Sequence, residues 1–197
     1  MTRPKLVNYH QAVQDHAAVG SGFSLQESID AWGWLVLEVY KVGRLVDRIV
    51  VGRNVVTNAG KAQLLRVIGG VAGATAISRM GVGDGGCGLT PPISSLFTPV
   101  AFAVTDTDLR SKINFAVNIQ AGPVVDEGAK TVAFTCFLNS AGVTGNPFHY
   151  TPHVINEIAL LSGAADDKVV ALRSFRSIPF DVADAVEVKA IWTIGMT

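Results

Sequence analysis

Charge is scarce in this sequence. Asp, Glu, Lys and Arg make up 16% of its 197 residues, against roughly 25% in an average soluble protein. A surface so poor in charge has little to hold other molecules off. Two explanations follow: insertion into a membrane, or burial of much of the surface against partners. The hydrophobic content of 49% and the mean hydropathy of +0.36 sharpen that choice. Long apolar runs are missing as well. A spanning helix needs about 20 consecutive apolar residues, whereas the runs here are short, and the one from Trp34 to Tyr40 is interrupted by Glu38. This argues against membrane insertion and for contacts with other subunits. Met1 to Gly20 contains no apolar block of signal-peptide length, so use or assembly in a cytoplasm is expected.

An excess of positive charge is also absent. The 16 basic residues are balanced by 16 acidic ones, whereas nucleic-acid binding usually shows as a basic excess or stripe. No nucleic-acid partner is expected. Zero net charge weakens self-repulsion and suits copies packed side by side, so a homo-oligomer is expected. Cysteine is limited to Cys87 and Cys136, too few and too far apart for a metal motif, and both read as core residues. Aromatic residues amount to 8%. Most fall at strand positions, which leaves little for a sugar-binding platform.

The motifs that resemble chemistry fail on their neighbours. Gly81-Val-Gly-Asp-Gly-Gly86 is glycine-rich and follows a strand. A phosphate cradle needs a helix to start directly after such glycines, but Cys87-Gly-Leu-Thr-Pro-Pro92 follows. A tight structural loop fits better. His149 and His153 are four residues apart, yet Pro147 and Pro152 bracket them and no third ligand stands near. Asp106 and Asp108 look like half a calcium loop, but Arg110 and Lys112 occupy the later positions and would repel a cation. Cys136 sits in an alternating strand pattern with no polarising histidine. No catalytic constellation, cofactor site or metal site is read from the sequence, and an enzyme is not expected.

What is present is mostly strand pattern. Residues 1–31 stand apart as an N-terminal arm, with Gly20-Ser21-Gly22 as a break and the Ser24–Glu27 spacing of a capping box starting a short helix. A loosely packed edge of the main domain is the alternative for this segment. Trp34–Tyr40 and Leu45–Val51 form a hairpin around Lys41-Val-Gly-Arg44. Thr57 or Asn58 offers an N-cap for a helix over Ala59–Ile68, whose Leu64, Leu65 and Ile68 are expected to pack on a sheet. Strands are expected at Ile77–Val82, Ile113–Ile119, Val132–Leu138, Ile155–Leu161, Val169–Phe175 and Ala185–Ile194. The expected fold is mainly β: an antiparallel β-sandwich, jelly-roll-like, over residues 32–197, with one short helix and the arm. Glu157 lies within an apolar strand, where a carboxylate needs a partner. Arg173 on the neighbouring strand is the candidate, and exposure to solvent or an interface is the alternative.

The order of segments adds a resemblance. Gly52-Arg-Asn-Val-Val-Thr-Asn-Ala-Gly-Lys61 precedes Ile77-Ser-Arg-Met-Gly-Val-Gly-Asp-Gly85, then Thr105-Asp-Thr-Asp-Leu-Arg110, Val154-Ile-Asn-Glu-Ile-Ala-Leu-Leu161, Ala171-Leu-Arg-Ser-Phe175 and Val188-Lys-Ala-Ile-Trp-Thr-Ile194. This series resembles the small β-sandwich structural proteins of tailed-bacteriophage virions over about residues 44–195. It departs from them in Ala159-Leu160-Leu161, where they carry Gly-Leu-Phe, and in the added Cys87. The resemblance implies a virion location, assembly in the host cytoplasm, and docking on the major capsid protein or other virion subunits. It implies a capsid decoration (cement) protein, with a tail, collar, baseplate or fibre component as the alternative. A carbohydrate-binding tip is a third reading. On the first, Tyr9, Phe23, Leu25, Trp32 and Trp34 are the expected interface anchors.

Overall fold

In the computed structural model, which describes residues 31–87, 99–139, 153–163, 168–180 and 186–196, the alternating segments become strands and pair. The strands are β1 (Ala31–Lys41), β2 (Arg44–Val56), β3 (Ile77–Gly83), β4 (Lys112–Asn118), β5 (Ala121–Asp126), β6 (Thr131–Asn139), β7 (His153–Ser162), β8 (Val169–Phe180) and β9 (Val186–Met196). Among the described residues one helix, α1 (Asn58–Ile68), follows β2. The strands form a curled, antiparallel sheet in the order β4-β3-β7-β8-β2-β1-β9-β6-β5.

β1 and β2 meet in the expected hairpin. Lys41 pairs with Arg44, and the two turn residues Val42 and Gly43 both have positive φ, 50° and 73°. That is what a two-residue I′ turn demands to match the strand twist. β1 begins at Ala31, placed by the sequence in the arm, and Ala31 pairs with Met196 of β9. The helix expected after Ser24 otherwise lies outside the described residues. β5 escaped the alternation patterns because Gly122 and Pro123 interrupt it. Its place at the end of the sheet order explains why a proline is tolerated there.

β2 is the hinge of the sheet. Over most of its length it pairs with β1, and only Val55 and Val56 pair with β8, at Leu172 and Ala171. The halves on either side curl toward each other and share one buried cluster. Leu35 and Leu37 of β1, Phe134, Cys136 and Leu138 of β6 and Val188, Ala190, Trp192 and Ile194 of β9 contribute from one half; Met80 and Val82 of β3 and Ile155, Ile158 and Leu160 of β7 contribute from the other. Alternation places these side chains on one face of each strand. A second cluster lies on the opposite face of β7 and β8, where Phe102 and Leu109 cover Ala159, Leu161, Val169 and Leu172. β7 is thereby buried on both faces, as its nearly continuous apolar run implies.

The helix starts where expected and packs otherwise. Thr57 is its N-cap: Oγ1 accepts from the Gly60 N–H at 2.8 Å and donates to the Val169 carbonyl at 2.7 Å. This ties the first turn to β8, and Gly60 lies so close to Val170 that any side chain there would overlap its backbone. The face resting on the sheet is therefore built from Gly60 and Gln63. The expected stripe is corrected accordingly. Leu64 packs on the core, but Leu65 and Ile68 are 55% and 66% exposed.

Candidate docking surface and the buried polar node

The glycine-rich run and Glu157 belong to one structure. Gly83 of β3 stands between Glu157 of β7 and Lys112 of β4 in register, so the carboxylate projects against the loop ends of both neighbours. Glu157 Oε1 accepts from the Ser111 N–H at 2.8 Å and the Gly85 N–H at 3.3 Å, and Oε2 accepts from the Arg110 N–H at 3.2 Å. Next to it, Asn156 Oδ1 accepts from the Gly86 N–H at 2.6 Å, and Asn156 Nδ2 donates to Ser177 Oγ at 3.4 Å. Gly83, Gly85 and Gly86 have no room for a side chain beside these groups, which is why the run is glycine. Both polar side chains are fully buried. Burial pushes the Glu157 carboxyl above its ordinary range, against the lowering effect of its three N–H donors. The node holds two loops to the sheet, and its backbone donors are spent on Glu157 and Asn156.

The expected Glu157–Arg173 pair is not what holds Glu157. Arg173 is the register partner of Ile158, while Glu157 stands opposite Ser174. Adjacent residues of a strand face opposite sides, so the two side chains leave the sheet in different directions. Arg173 Nη2 donates to the Val51 carbonyl at 3.0 Å instead. Arg176 pairs with Asp47. Together the two arginines span the gap where β2 and β8 diverge, a cleft of about 290 Å³ also lined by Val50, Pro99 and Ala101.

The remaining candidate groups are placed as follows. Cys87 and Cys136 are buried and not joined in a disulfide, and burial pushes the Cys136 thiol up to about 12, which keeps it protonated and unreactive near neutrality. Asp106 accepts from the Ala103 N–H at 2.8 Å, closing a turn. Asp108 forms an ion pair with Lys112. His149 and the side chain of His153 lie outside the described residues. Among the described residues, no group of three metal-binding side chains occurs, and no helix is long and apolar enough to cross a membrane.

The outer face of β1, β2 and β9 is different in kind. Register places side chains there in rows: Trp34 with Arg53 and Thr193, Val36 with Val50 and Ile191, Glu38 with Arg48 and Lys189, Tyr40 with Leu45 and Glu187. Trp34 is 41% and Val50 58% exposed, and Leu45, Val46 and the turn residue Val42 are exposed with them. Amid these apolar residues sits one polar cluster. Glu38 accepts from Lys189 Nζ at 3.1 Å and from the Tyr40 hydroxyl at 3.0 Å, with Arg48 at 3.6 Å. The bond from Lys189, ahead of that from Tyr40, holds the Glu38 carboxyl below its ordinary range. Trp34, expected as an interface anchor, belongs to this face. Trp32 is half-buried, its ring against Gly195. Tyr9, Phe23 and Leu25 lie outside the described residues. The sequence reading missed Leu45, Val46 and Val50, whose strand pattern signalled burial equally well.

No family model, curated protein or solved structure matches this chain.

Proposed function

We propose that this chain is a non-enzymatic structural subunit of a virus particle, a capsid decoration protein that docks on neighbouring virion subunits. The observation that carries the reading is the exposed apolar face of β1 and β2, with Trp34, Leu45, Val46 and Val50 open to solvent. Exposed apolar side chains on both sides of a charged row favour protein contact, and an aromatic anchor with a charged cluster beside it suits a specific interface. The low charge fraction of the chain and the order of its motifs support the same reading. The two facing halves of the curled sheet, with one cluster between them, support a β-sandwich of jelly-roll type as the finer description of the fold.

The copy number of the chain in purified particles tests the proposal, by quantitative mass spectrometry against the major capsid protein. A ratio near one, or a small-integer fraction of one, is expected. A handful of copies per particle moves the chain to the tail or collar. Absence from the particle overturns the reading altogether. Removal of residues 1–30, which spares Ala31 of β1, is expected to leave a folded domain that no longer binds particles.

A further inference from the structure

β2 and β8 part almost as soon as they meet. Of the 13 residues of β2, only Val55 and Val56 pair with β8. From Asn54 back to Arg44 the β8-facing edge of β2 has no strand partner among the described residues. The cleft left between the strands, about 290 Å³, is near the low end for ligand pockets, roughly 300–1,000 Å³. Ile49, Val51 and Phe175 give it apolar walls. An unpaired strand edge carries main-chain groups open to a further strand. The Val51 carbonyl is one such group, and a side chain meets it: Arg173 Nη2 donates to it at 3.0 Å. The same guanidinium is incompletely used. Arg173 Nε is buried and meets no acceptor among the described residues, which is costly for a donor. Burial lowers the Arg173 pKa. Arg176 is matched by Asp47, so two guanidiniums of the cleft are set against one carboxylate, and one positive charge is in excess.

We infer that this cleft binds an extended, acidic peptide segment of a partner protein as an added strand on β2, with a peptide N–H on the Val51 carbonyl and an Asp or Glu side chain on Arg173. The two unmet features call for the same occupant. The open edge takes a strand, and the excess charge takes a carboxylate. When the peptide N–H occupies the Val51 carbonyl, Nη2 is released, and together with Nε it forms the planar two-donor edge that fits a carboxylate. Strand addition of this kind draws affinity from main-chain bonds and specificity from side-chain pockets. The site is separate from the rows of β1 and β9 on the outer face and does not depend on the decoration reading.

Peptide selection on the full chain tests it. A pool of capped nine-residue peptides, randomised at every position, is selected on the immobilised protein, and the binders are resynthesised and titrated by fluorescence anisotropy. The binders are expected to share an Asp or Glu among β-branched neighbours, and to shift the backbone amide resonances of residues 49–51 and 173–176. Exchanging that acid for its amide is expected to weaken binding about tenfold. N-methylation along the peptide is expected to do the same at one position near the acid. In the chain, Arg173→Gln is expected to remove the preference for an acidic residue, and Arg173→Lys, which keeps the charge without the planar fork, to weaken binding severalfold. Unfolding midpoints show whether these variants fold, and the two peptide changes decide the matter on the unaltered chain. No enriched peptide, enrichment without an acid, or resonance shifts confined to the outer face overturns the proposal. Loss on the amide exchange with indifference to every N-methylation makes the site a carboxylate pocket and overturns the added strand.

Discussion

β7 and β2 are both apolar strands near the middle of the sheet order, and they meet opposite fates. From Ile155 to Ser162 every residue of β7 is buried. Over Arg44–Val50 of β2, buried positions are replaced by exposed and half-buried ones. Hydrophobicity does not separate them, since Leu45, Val46 and Val50 are as apolar as Leu160 and Leu161. Coverage does. One face of β7 meets the shared cluster, and the segment carrying Phe102 and Leu109 lies over the other. Among the described residues, β2 has such cover on its inner side only. An apolar strand side chain is thus a core residue where a loop is anchored above it and an exposed one where none is. The Glu157 node is what anchors the loop: three of its hydrogen bonds end on Gly85, Arg110 and Ser111.

The widest separation of the two strands is in packing energy. Leu160→Ala empties a fully buried site and is expected to cost about 2–5 kcal/mol. Val50→Ala, on a side chain 58% exposed, is expected to stay within about 0.5 kcal/mol. Urea unfolding of both variants checks this, and equal losses would break the comparison.

Next in size is the loop anchor. Glu157→Ala leaves three backbone N–H groups near the sheet without their acceptor, at an expected loss of about 3 kcal/mol. The pH dependence sharpens the test. Glu157 titrates above its ordinary 4.5 because of burial, so the folded chain retains a proton that the unfolded chain releases. Its contribution to stability is present below 4.5 and declines as pH rises through the folded value. Unfolding midpoints measured from acid to neutral pH are expected to show that decline in the parent chain and not in Glu157→Gln.

The smallest effect belongs to the exposed face, and its sign is opposite. Glu38 titrates below its ordinary 4.5, chiefly through Lys189. Its contribution is present above 4.5 and is lost as pH falls below that value. As a pair on an open surface it is worth little, so Glu38→Gln is expected to shift the unfolding midpoint only slightly near neutrality, with the difference shrinking in acid. A larger shift than that of Glu157→Gln would mean that the outer cluster, not the inner node, is the main electrostatic support.

Much of this was legible along the chain. The period-two runs at β6 and β9, the hairpin at Val42-Gly43, an N-cap at Thr57 or Asn58 and the continuous apolar run of β7 are local signals, because a side chain's direction depends on the backbone period next to it. Pairing partners are not local. The need of Glu157 for a partner was evident from its apolar neighbours, but its partners, the N–H groups of residues 85, 110 and 111, depend on a register that brings Gly83, Ser111 and Glu157 together. Gly60 rather than the leucine stripe became the sheet-facing side of α1, because the Thr57–Val169 bond sets how closely the helix approaches. The sequence by itself therefore determined which segments are strands, where the helix starts and that the surface is poor in charge, since these rest on neighbours in the chain. Only the tertiary structure decided which apolar side chains are core and which are open, because burial depends on what the fold lays over each face.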